Sequence, residues 1–175
     1  ARTFAEAARK ASDARYRNLF DTTSDAILIL RANGPGAGRI LSANPAAASM
    51  HGYTLDELLQ LSVMDLDSPQ ATQLAPGRLR RLLVGERLCF EIDHRRKDGS
   101  VFPVEVTANL MRVGGEDLIL AIDRDISERR DAEAALRQSE ERYRSVISAL
   151  AEGIILVRAD GEIVGCNASA CRLLG

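Results

Sequence analysis

Short apolar runs mark candidate strands along the chain, and in several of them apolar and polar residues alternate. Such runs occur at residues 26–30, 39–43, 87–95, 101–110 and 117–123. Their length, their branched and aromatic content and their flanking turn residues favour strands. Between the second and third runs, Asn44 followed by Pro45, and Thr54 followed by Glu57, are typical of helix starts. The sequence therefore predicts an α+β fold, in which a five-stranded antiparallel sheet carries short helices on one face.

The short helices are predicted at residues 46–50, 55–59 and 70–84, with a further helical turn within 62–69. Pro76 and Gly77 are expected to interrupt the longest of them, because proline cannot donate the helical hydrogen bond. Asp98 and Gly99 predict a tight hairpin turn between the third and fourth strands. The last three strands, in the second half of the unit, are thus expected to complete the sheet.

Long polar helices are predicted on either side of this unit. One covers residues 1–20, and the other begins at Ser127, whose hydroxyl and following acidic residue Glu128 suit a helix start. Residues at a spacing of seven, with a second row between them, form a thin and partly polar coiled-coil seam: Arg129, Ala132, Leu136, Ser139, Tyr143 and Val146. The corresponding positions of the first helix are Ala5, Ser12, Tyr16 and Leu19. The seam predicts a homodimer, and a solvated connector helix is the alternative.

The chain also repeats itself. A shift of 127 positions places the AEAA motif of residues 5–8 on residues 132–135, and Tyr16 on Tyr143. After a four-residue skip, Asn44 falls on Asn167. The predicted organisation is an N-terminal helix at 1–20, a complete unit at 21–126, a linker helix at 127–147 and the beginning of a second unit at 148–175.

Charge and composition restrict the classes of function. The formal net charge is -2, with basic residues spread along the chain, so no nucleic-acid partner is predicted. The apolar runs are too short to cross a bilayer, and this part of the protein is expected to be cytoplasmic without membrane contact. Because the chain begins with Ala1, it is expected to be a fragment whose parent could carry a membrane anchor. Its three cysteines are expected to be reduced thiols.

Candidate catalytic and metal-binding residues are few. Gly34–Gly38 lacks the lysine of a phosphate-binding loop. Gly114-Gly115-Glu116-Asp117 resembles a cyclase signature, but its second acid is Asp and Leu118 replaces the phenylalanine, and a hairpin turn explains the glycines. His51 and His94 are expected to be surface or turn residues, given their polar neighbours. No metal site and no enzymatic activity of the fragment are predicted.

Four motifs together resemble a PAS sensory domain. They are YRNLFDTTSDAILIL, GYTLDELL after the Asn44-Pro45 helix start, HRRKDGSVFPVEV and DRDISERRDAE. The resemblance implies a sensory module of a bacterial multi-PAS signalling protein, such as a histidine kinase or a cyclic-dinucleotide enzyme, with adjacent PAS and output domains in the parent chain. It also implies that Asp125, Ile126 and Ser127 correspond to the family's Asp-Ile-Thr relay into the exit helix.

The resemblance bears on cofactors as well. Val63 stands where a flavin-binding branch of the family has its reactive cysteine, and residues 70–84 hold no histidine for haem, so no cofactor is predicted. A small-molecule pocket between sheet and helices remains a hypothesis, beside the alternative that its residues only fill the core. Its candidate lining is Leu28, Met64, Phe90, Ile92, Val104, Val106 and Ile122. A cofactor sensor with unusual ligands and a ligand-free dimerisation spacer remain the rival interpretations.

Overall fold

A computed structural model describes residues 2–149 and 152–174, and it divides the chain into two compact units, Ala1–Ser127 and Glu128–Gly175. The elements of the first unit are α1 (Arg2–Thr22), β1 (Ala26–Arg31), β2 (Ile40–Ala43), α2 (Pro45–His51), α3 (Leu55–Leu58), α4 (Val63–Leu66), α5 (Pro69–Leu83), β3 (Leu88–Arg95), β4 (Val101–Val113) and β5 (Glu116–Asp125). They follow the predicted order. The helix α6 (Ser127–Ala149) comes next.

The five strands form one sheet in the order β2-β1-β5-β4-β3, with every neighbouring pair antiparallel. The predicted fold class is therefore confirmed. The central strand β5 pairs with β1 on one side and with β4 on the other, so its residues lie at the middle of the sheet.

One face of this sheet carries the core. Alternate residues of the strands pack there against α2, α3, α4 and α5, because side chains in a strand point to opposite faces in turn. The largest fully buried apolar side chains are Leu28, Ile40, Leu58, Leu66 and Val104.

Side-chain caps set the starts of the short helices. Asn44 caps α2 with Pro45 at the first helical position, and Thr54 forms a capping box with Glu57 at α3. A second capping box, made by Ser62 and Asp65, starts α4. Helices this short need such caps, because most of their amides have no intrahelical acceptor.

The helix α5 differs from the prediction, because it continues through Pro76 instead of being interrupted there. Contacts of α5 with β3 and β4 hold the helix against the sheet, and Leu82 on it is buried. Tertiary packing thus outweighs the loss of one backbone hydrogen bond at proline. The Arg78 side chain also donates a hydrogen bond to the carbonyl of Ala71, at 3.4 Å.

The second unit contains most of α6, followed by β6 (Ile155–Val157), β7 (Ile163–Cys166) and α7 (Ala168–Leu174). β6 and β7 form a two-stranded antiparallel hairpin whose side chains are exposed. The cysteines are free and exposed, and the Sγ atoms of Cys166 and Cys171 lie 2.7 Å apart. Among the described residues, no helix is both long and apolar enough to cross a membrane.

Candidate functional site

The two histidines of the chain lie in the core of the first unit and contact each other. His51 is 0% exposed and His94 is 1% exposed, so the prediction that they are surface or turn residues is wrong. His51 is the last residue of α2, and His94 lies near the end of β3. The turn at Gly52 beside His51 and the basic residues that follow His94 suggested exposure, but both rings are buried in the core.

Hydrogen bonds fix the orientation of both imidazoles. Nδ1 of His51 lies 2.9 Å from the carbonyl oxygen of Ala47, and Nε2 of His51 lies 2.9 Å from Nδ1 of His94. Because a carbonyl oxygen can only accept, Nδ1 of His51 carries a proton and Nε2 of the neutral ring does not. The chain leaves α2 immediately afterwards through Gly52, whose φ of 74° is a conformation that favours glycine.

Two buried carboxylates complete the cluster. Asp67, 4% exposed, has Oδ1 3.4 Å from Nε2 of His94, and Asp123, 1% exposed, has Oδ2 4.0 Å from Nδ1 of His94. An isolated backbone bridge pairs Asp67 with His94 and so places the two side by side. Asp123 reaches the cluster from the central strand β5.

The cluster is incompletely hydrogen-bonded. Within the described part of the chain, four buried side-chain atoms lack a hydrogen-bond partner, and all four belong to it: Oδ1 of Asp67, Nε2 of His94 and both carboxylate oxygens of Asp123. Buried polar groups normally have partners, because leaving one unpaired costs about 1–3 kcal/mol. Four such atoms in one place indicate a functional site more than a structural one.

Burial shifts the pKa values of Asp123 and His51 so as to disfavour their charged forms. It raises the pKa of Asp123 to about 6, against an opposing effect of His94 and with a further increase from Asp67. It lowers the pKa of His51 to about 4, although the hydrogen bond to the Ala47 carbonyl opposes the change. At neutral pH, His51 is therefore uncharged, and the lone pair of its Nε2 faces Nδ1 of His94.

A cavity of about 80 Å³ lies beside the cluster, between the sheet and α4 and α5. His94, Asp67 and Asp123 form its polar end, and its other walls are mainly apolar. Of the residues proposed for a ligand pocket, Met64, Phe90, Ile92 and Val106 line it. Leu28 and Val104 are fully buried in the core and do not line it.

Ile122 does not face this cavity. In β5, the buried side chains are Ile119, Ala121 and Asp123, so Ile122 lies on the opposite face of the sheet. The sequence here is apolar on both faces, and an error of one residue in the alternation exchanges them. Placing Ile122 inside also placed Asp123 outside, and Asp123 was missed for that reason.

A continuous set of contacts connects the cluster to the start of α6. The ring of Phe102 meets His51 and His94 edge-on, with centroids 5.6 and 6.2 Å away. The guanidinium of Arg96 lies 3.6 Å above the centroid of that ring. Arg96 also donates to the carbonyl of Met50 and, over 2.9 Å, to Oδ2 of Asp125.

Asp125, Ile126 and Ser127 form the junction between β5 and α6. Oδ1 of Asp125 accepts a hydrogen bond from the amide of Ser127 at 2.9 Å, and the amide of buried Ile126 donates to the carbonyl of Pro103 at 3.1 Å. Burial raises the pKa of Asp125, but the hydrogen bonds from Ser127 and the ion pair with Arg96 outweigh it and hold that pKa below its ordinary value. The carboxylate also lies near the positive end of the helix dipole.

The residues of the proposed dimer seam all lie on α6, which buries none of its side chains. Leu136 is 63% exposed and Tyr143 is 68% exposed, and Val146, Arg129 and Ala132 are also exposed, while Ser139 is half-buried. On α1, Tyr16 and Leu19 are likewise exposed, Ser12 is exposed, and the side chain of Ala5 lies outside the described residues.

Asn44 and its repeat equivalent Asn167 make the same four hydrogen bonds. Oδ1 of Asn44 accepts from the amides of Ile27 and Ala47, and Nδ2 donates to the carbonyls of Phe20 and Asp25. Oδ1 of Asn167 accepts from Ile154 and Ala170, and Nδ2 donates to Ile147 and Glu152, the equivalent positions of the second unit. In each unit, one side chain thus fastens the long helix, the first strand and the first short helix together.

Two patterns in the sequence indicate that both histidines are buried. His94 continues the alternation of Leu88, Phe90 and Ile92, and His51 lies four residues after buried Ala47 on the same helix face. Following both periodicities to the ends of their elements would have placed both rings inside.

Comparison with known proteins agrees with this architecture. The sequence model of the PAS domain family matches residues 24–128, and a second family model, described as PAS fold, matches residues 141–175. The chain belongs to the PAS domain family. PAS domains are sensory modules and are not themselves catalytic.

This PAS chain is similar to parts of much longer signalling proteins. It is 33% identical over 132 residues to the sensor histidine kinase TmoS of Ectopseudomonas mendocina, covering 73% of this chain and 13% of that protein. It is 28% identical over 167 residues to sporulation kinase E of Bacillus subtilis, covering 94% of this chain and 21% of the kinase. The chain thus spans about a fifth or less of these relatives.

Among solved structures, the PAS domain of an HTR-like protein from Haloarcula marismortui is 31% identical, with a TM-score of 0.61 over 71% of this chain and 99% of that one. A domain of a sensory box histidine kinase/response regulator from Geobacter sulfurreducens is 35% identical, with a TM-score of 0.56 over 65% and 94% of the two chains.

Proposed function

We propose that this chain is the sensory relay module of a histidine kinase-type or cyclic-dinucleotide signalling protein, which homodimerises through its flanking helices and passes a conformational change into α6. The relatives named as a sensor histidine kinase and a sporulation kinase support the class of parent protein. Adjacent PAS and output domains in the parent would then receive the signal.

The observation that carries the proposal is the set of contacts from the cavity to the junction. The ring of Phe102 contacts the ring of His94, so a movement of His94 would displace Phe102. Arg96 in turn contacts both Phe102 and the carboxylate of Asp125. That carboxylate holds the first amide of α6. A ligand that prefers one arrangement of these groups by about 1–3 kcal/mol would be sufficient for allosteric control.

The size of the cavity limits what it can bind. Sites for drug-sized ligands usually measure about 300–1,000 Å³, and this cavity measures about 80 Å³. It therefore suits a ligand of a few heavy atoms, and haem or flavin would require the helices to move apart. A spacer without any ligand would leave the buried carboxylates without a role.

The experiment is substitution at the junction in the full-length parent protein. Asp125→Ala and Ser127→Ala should change the output activity several-fold, because both remove contacts at the start of α6. Asp117→Ala is the matched control, since it removes an ion pair with Arg112 at the opposite end of β5. Output that stays at the wild-type level in both junction variants would refute the relay.

A further inference from the structure

The buried cluster of His51, His94 and Asp123 has the composition of a metal site. One nitrogen of each histidine and one carboxylate oxygen lie within 4.8 Å of one another, and all three residues are buried. Two imidazoles and a carboxylate are common ligands of Zn²⁺ and related divalent ions. The ligands come from α2, β3 and β5, three elements that the core packing holds in place.

With both imidazoles neutral, the cluster has one proton too few for the contacts that its rings make. Three contacts of the imidazoles each require a proton: His51 with the Ala47 carbonyl, His51 with His94, and His94 with Asp67. Two neutral imidazoles carry only two such protons. If His94 donates to His51, its Nε2 presents a lone pair to the carboxylate of Asp67, which agrees with the absence of a hydrogen bond between these two atoms.

A divalent cation between the two rings removes this conflict. It would take the lone pairs of Nε2 of His51 and Nδ1 of His94, so that Nε2 of His94 could carry its proton toward Asp67. The unpaired oxygens of Asp123 would become a ligand, and the two carboxylates would balance the charge of the ion. Three of the four unpaired atoms of the cluster would then have partners: Oδ1 of Asp67, Nε2 of His94 and one oxygen of Asp123.

The outer contacts are also those of a metal site. Metal-bound imidazoles usually donate their second N–H to a carbonyl or a carboxylate, which fixes the ring and its tautomer. Ala47 supplies the carbonyl for His51, and Asp67 lies where it can supply the carboxylate for His94.

The distances require only small side-chain movements. Ligands of a tetrahedral ion at about 2.1 Å lie about 3.4 Å from one another. The two nitrogens would separate slightly from 2.9 Å, and Asp123 would approach His94 from 4.0 Å. Because the cavity borders His94 and Asp123, a fourth position would face it and could hold water or a small exchangeable ligand.

From these observations we infer that His51, His94 and Asp123 bind one divalent transition-metal ion, of the Zn²⁺ class, with Asp67 as an outer positioning residue. The inference stands on the cluster alone and does not depend on the relay to α6. If the metal site were disproved, the proposed relay would still stand, and the reverse also holds.

Titration of the chelator-treated chain with Co²⁺ and Zn²⁺ tests this site. One Co²⁺ per chain should bind, with visible absorption bands, and Zn²⁺ should displace it. His51→Gln and Asp123→Asn should each weaken binding at least about 100-fold, and Asp67→Asn about 10- to 100-fold. Because the chain has only two histidines, binding through histidine can only come from this cluster.

Two controls keep the test decisive. Cys166→Ser/Cys171→Ser removes the adjacent exposed thiols, and this variant should bind the ion as the wild type does. Nitrogen NMR of the two imidazoles uses the wild-type chain, so its result does not depend on whether a variant folds. Zn²⁺ should shift the resonances of Nε2 of His51 and Nδ1 of His94 and leave Nδ1 of His51 protonated. No binding, binding lost only in the cysteine variant, or a pair of rings that share a proton and ignore Zn²⁺ would each overturn the inference.

Discussion

At the scale of single residues, buried polar side chains control the local structure of this chain. Asn44 is 0% exposed and satisfies two amides and two carbonyls from three elements. Replacement by an apolar residue would leave several of those groups buried without partners, which costs more than the hydrogen bonds themselves contribute.

Asn44→Ala should therefore lower the free energy of unfolding by about 2–4 kcal/mol. Urea unfolding followed by circular dichroism measures the change. Asn33→Ala is the control, because Asn33 is exposed and makes only a long hydrogen bond to Asp117, at 3.4 Å. A loss no greater than that of the control would show that Asn44 does not hold the elements together.

The junction residue Asp125 predicts a pH dependence. Its pKa is lower in the folded chain than the ordinary value of 3.8, so the ionised form stabilises the fold. This contribution is complete above the unfolded value and is lost as pH falls through the folded value.

Wild type should exceed Asp125→Asn in unfolding free energy by about 1 kcal/mol at neutral pH, because the carboxylate pairs with Arg96 and holds the Ser127 amide. The difference should shrink toward zero as the pH falls below 3.8 and through the lower pKa of the folded chain. Urea titrations of both proteins at several pH values measure it. A difference in unfolding free energy that stays the same or grows in acid would contradict this prediction.

At the scale of elements, α6 presents an exposed apolar row. Leu136 and Tyr143 are mostly exposed, and the polar positions between them keep the row narrow. A narrow seam supports a weak dimer, which suits a helix that changes state.

Leu136→Asp should weaken self-association about 10-fold or more, because it places a charge in the seam. Gln138→Asp adds the same charge two residues away, outside the seam, and should leave association unchanged. Sedimentation velocity over a range of concentrations measures both. A chain that is monomeric throughout, or variants that dissociate equally, would remove the seam from the proposal.

Most elements could be predicted because their patterns are local. Strand alternation located β3 and the start of β4, and capping residues located α2 and α3, each within one residue of the observed bounds, although β4 continues three residues beyond its predicted end. The prediction failed where the result depends on tertiary packing. Pro76 lies within a continuous helix because the sheet supports it, and β5 could not be oriented because both of its faces are apolar.

The candidate site was predicted less well than the fold. Four of the residues proposed from the sequence for a ligand pocket line the cavity, since strand alternation or a recognisable motif indicated them, and their role in binding stays a prediction. His51 and His94 are 43 positions apart, and only the folded chain shows that their rings meet. Contact between distant residues cannot be read from local polarity.

At the scale of the whole molecule, the chain combines a sensory unit and a helix that leads into a second unit of the same design. The equivalent hydrogen bonds of Asn44 and Asn167 show that both units attach their preceding helix in the same way. A change at the start of α6 would therefore act on a helix fastened to the next unit.

The most direct test of the relay is hydrogen exchange of the first turn of α6. Arg96→Gln removes the group that joins Phe102 to Asp125, and exchange in residues 127–131 should accelerate about 10-fold, while the second unit's hairpin should exchange as before. Arg112→Gln, which breaks an exposed ion pair at the other end of the sheet, should leave the turn unchanged. Equal exchange of this turn in wild type and Arg96→Gln would contradict the account.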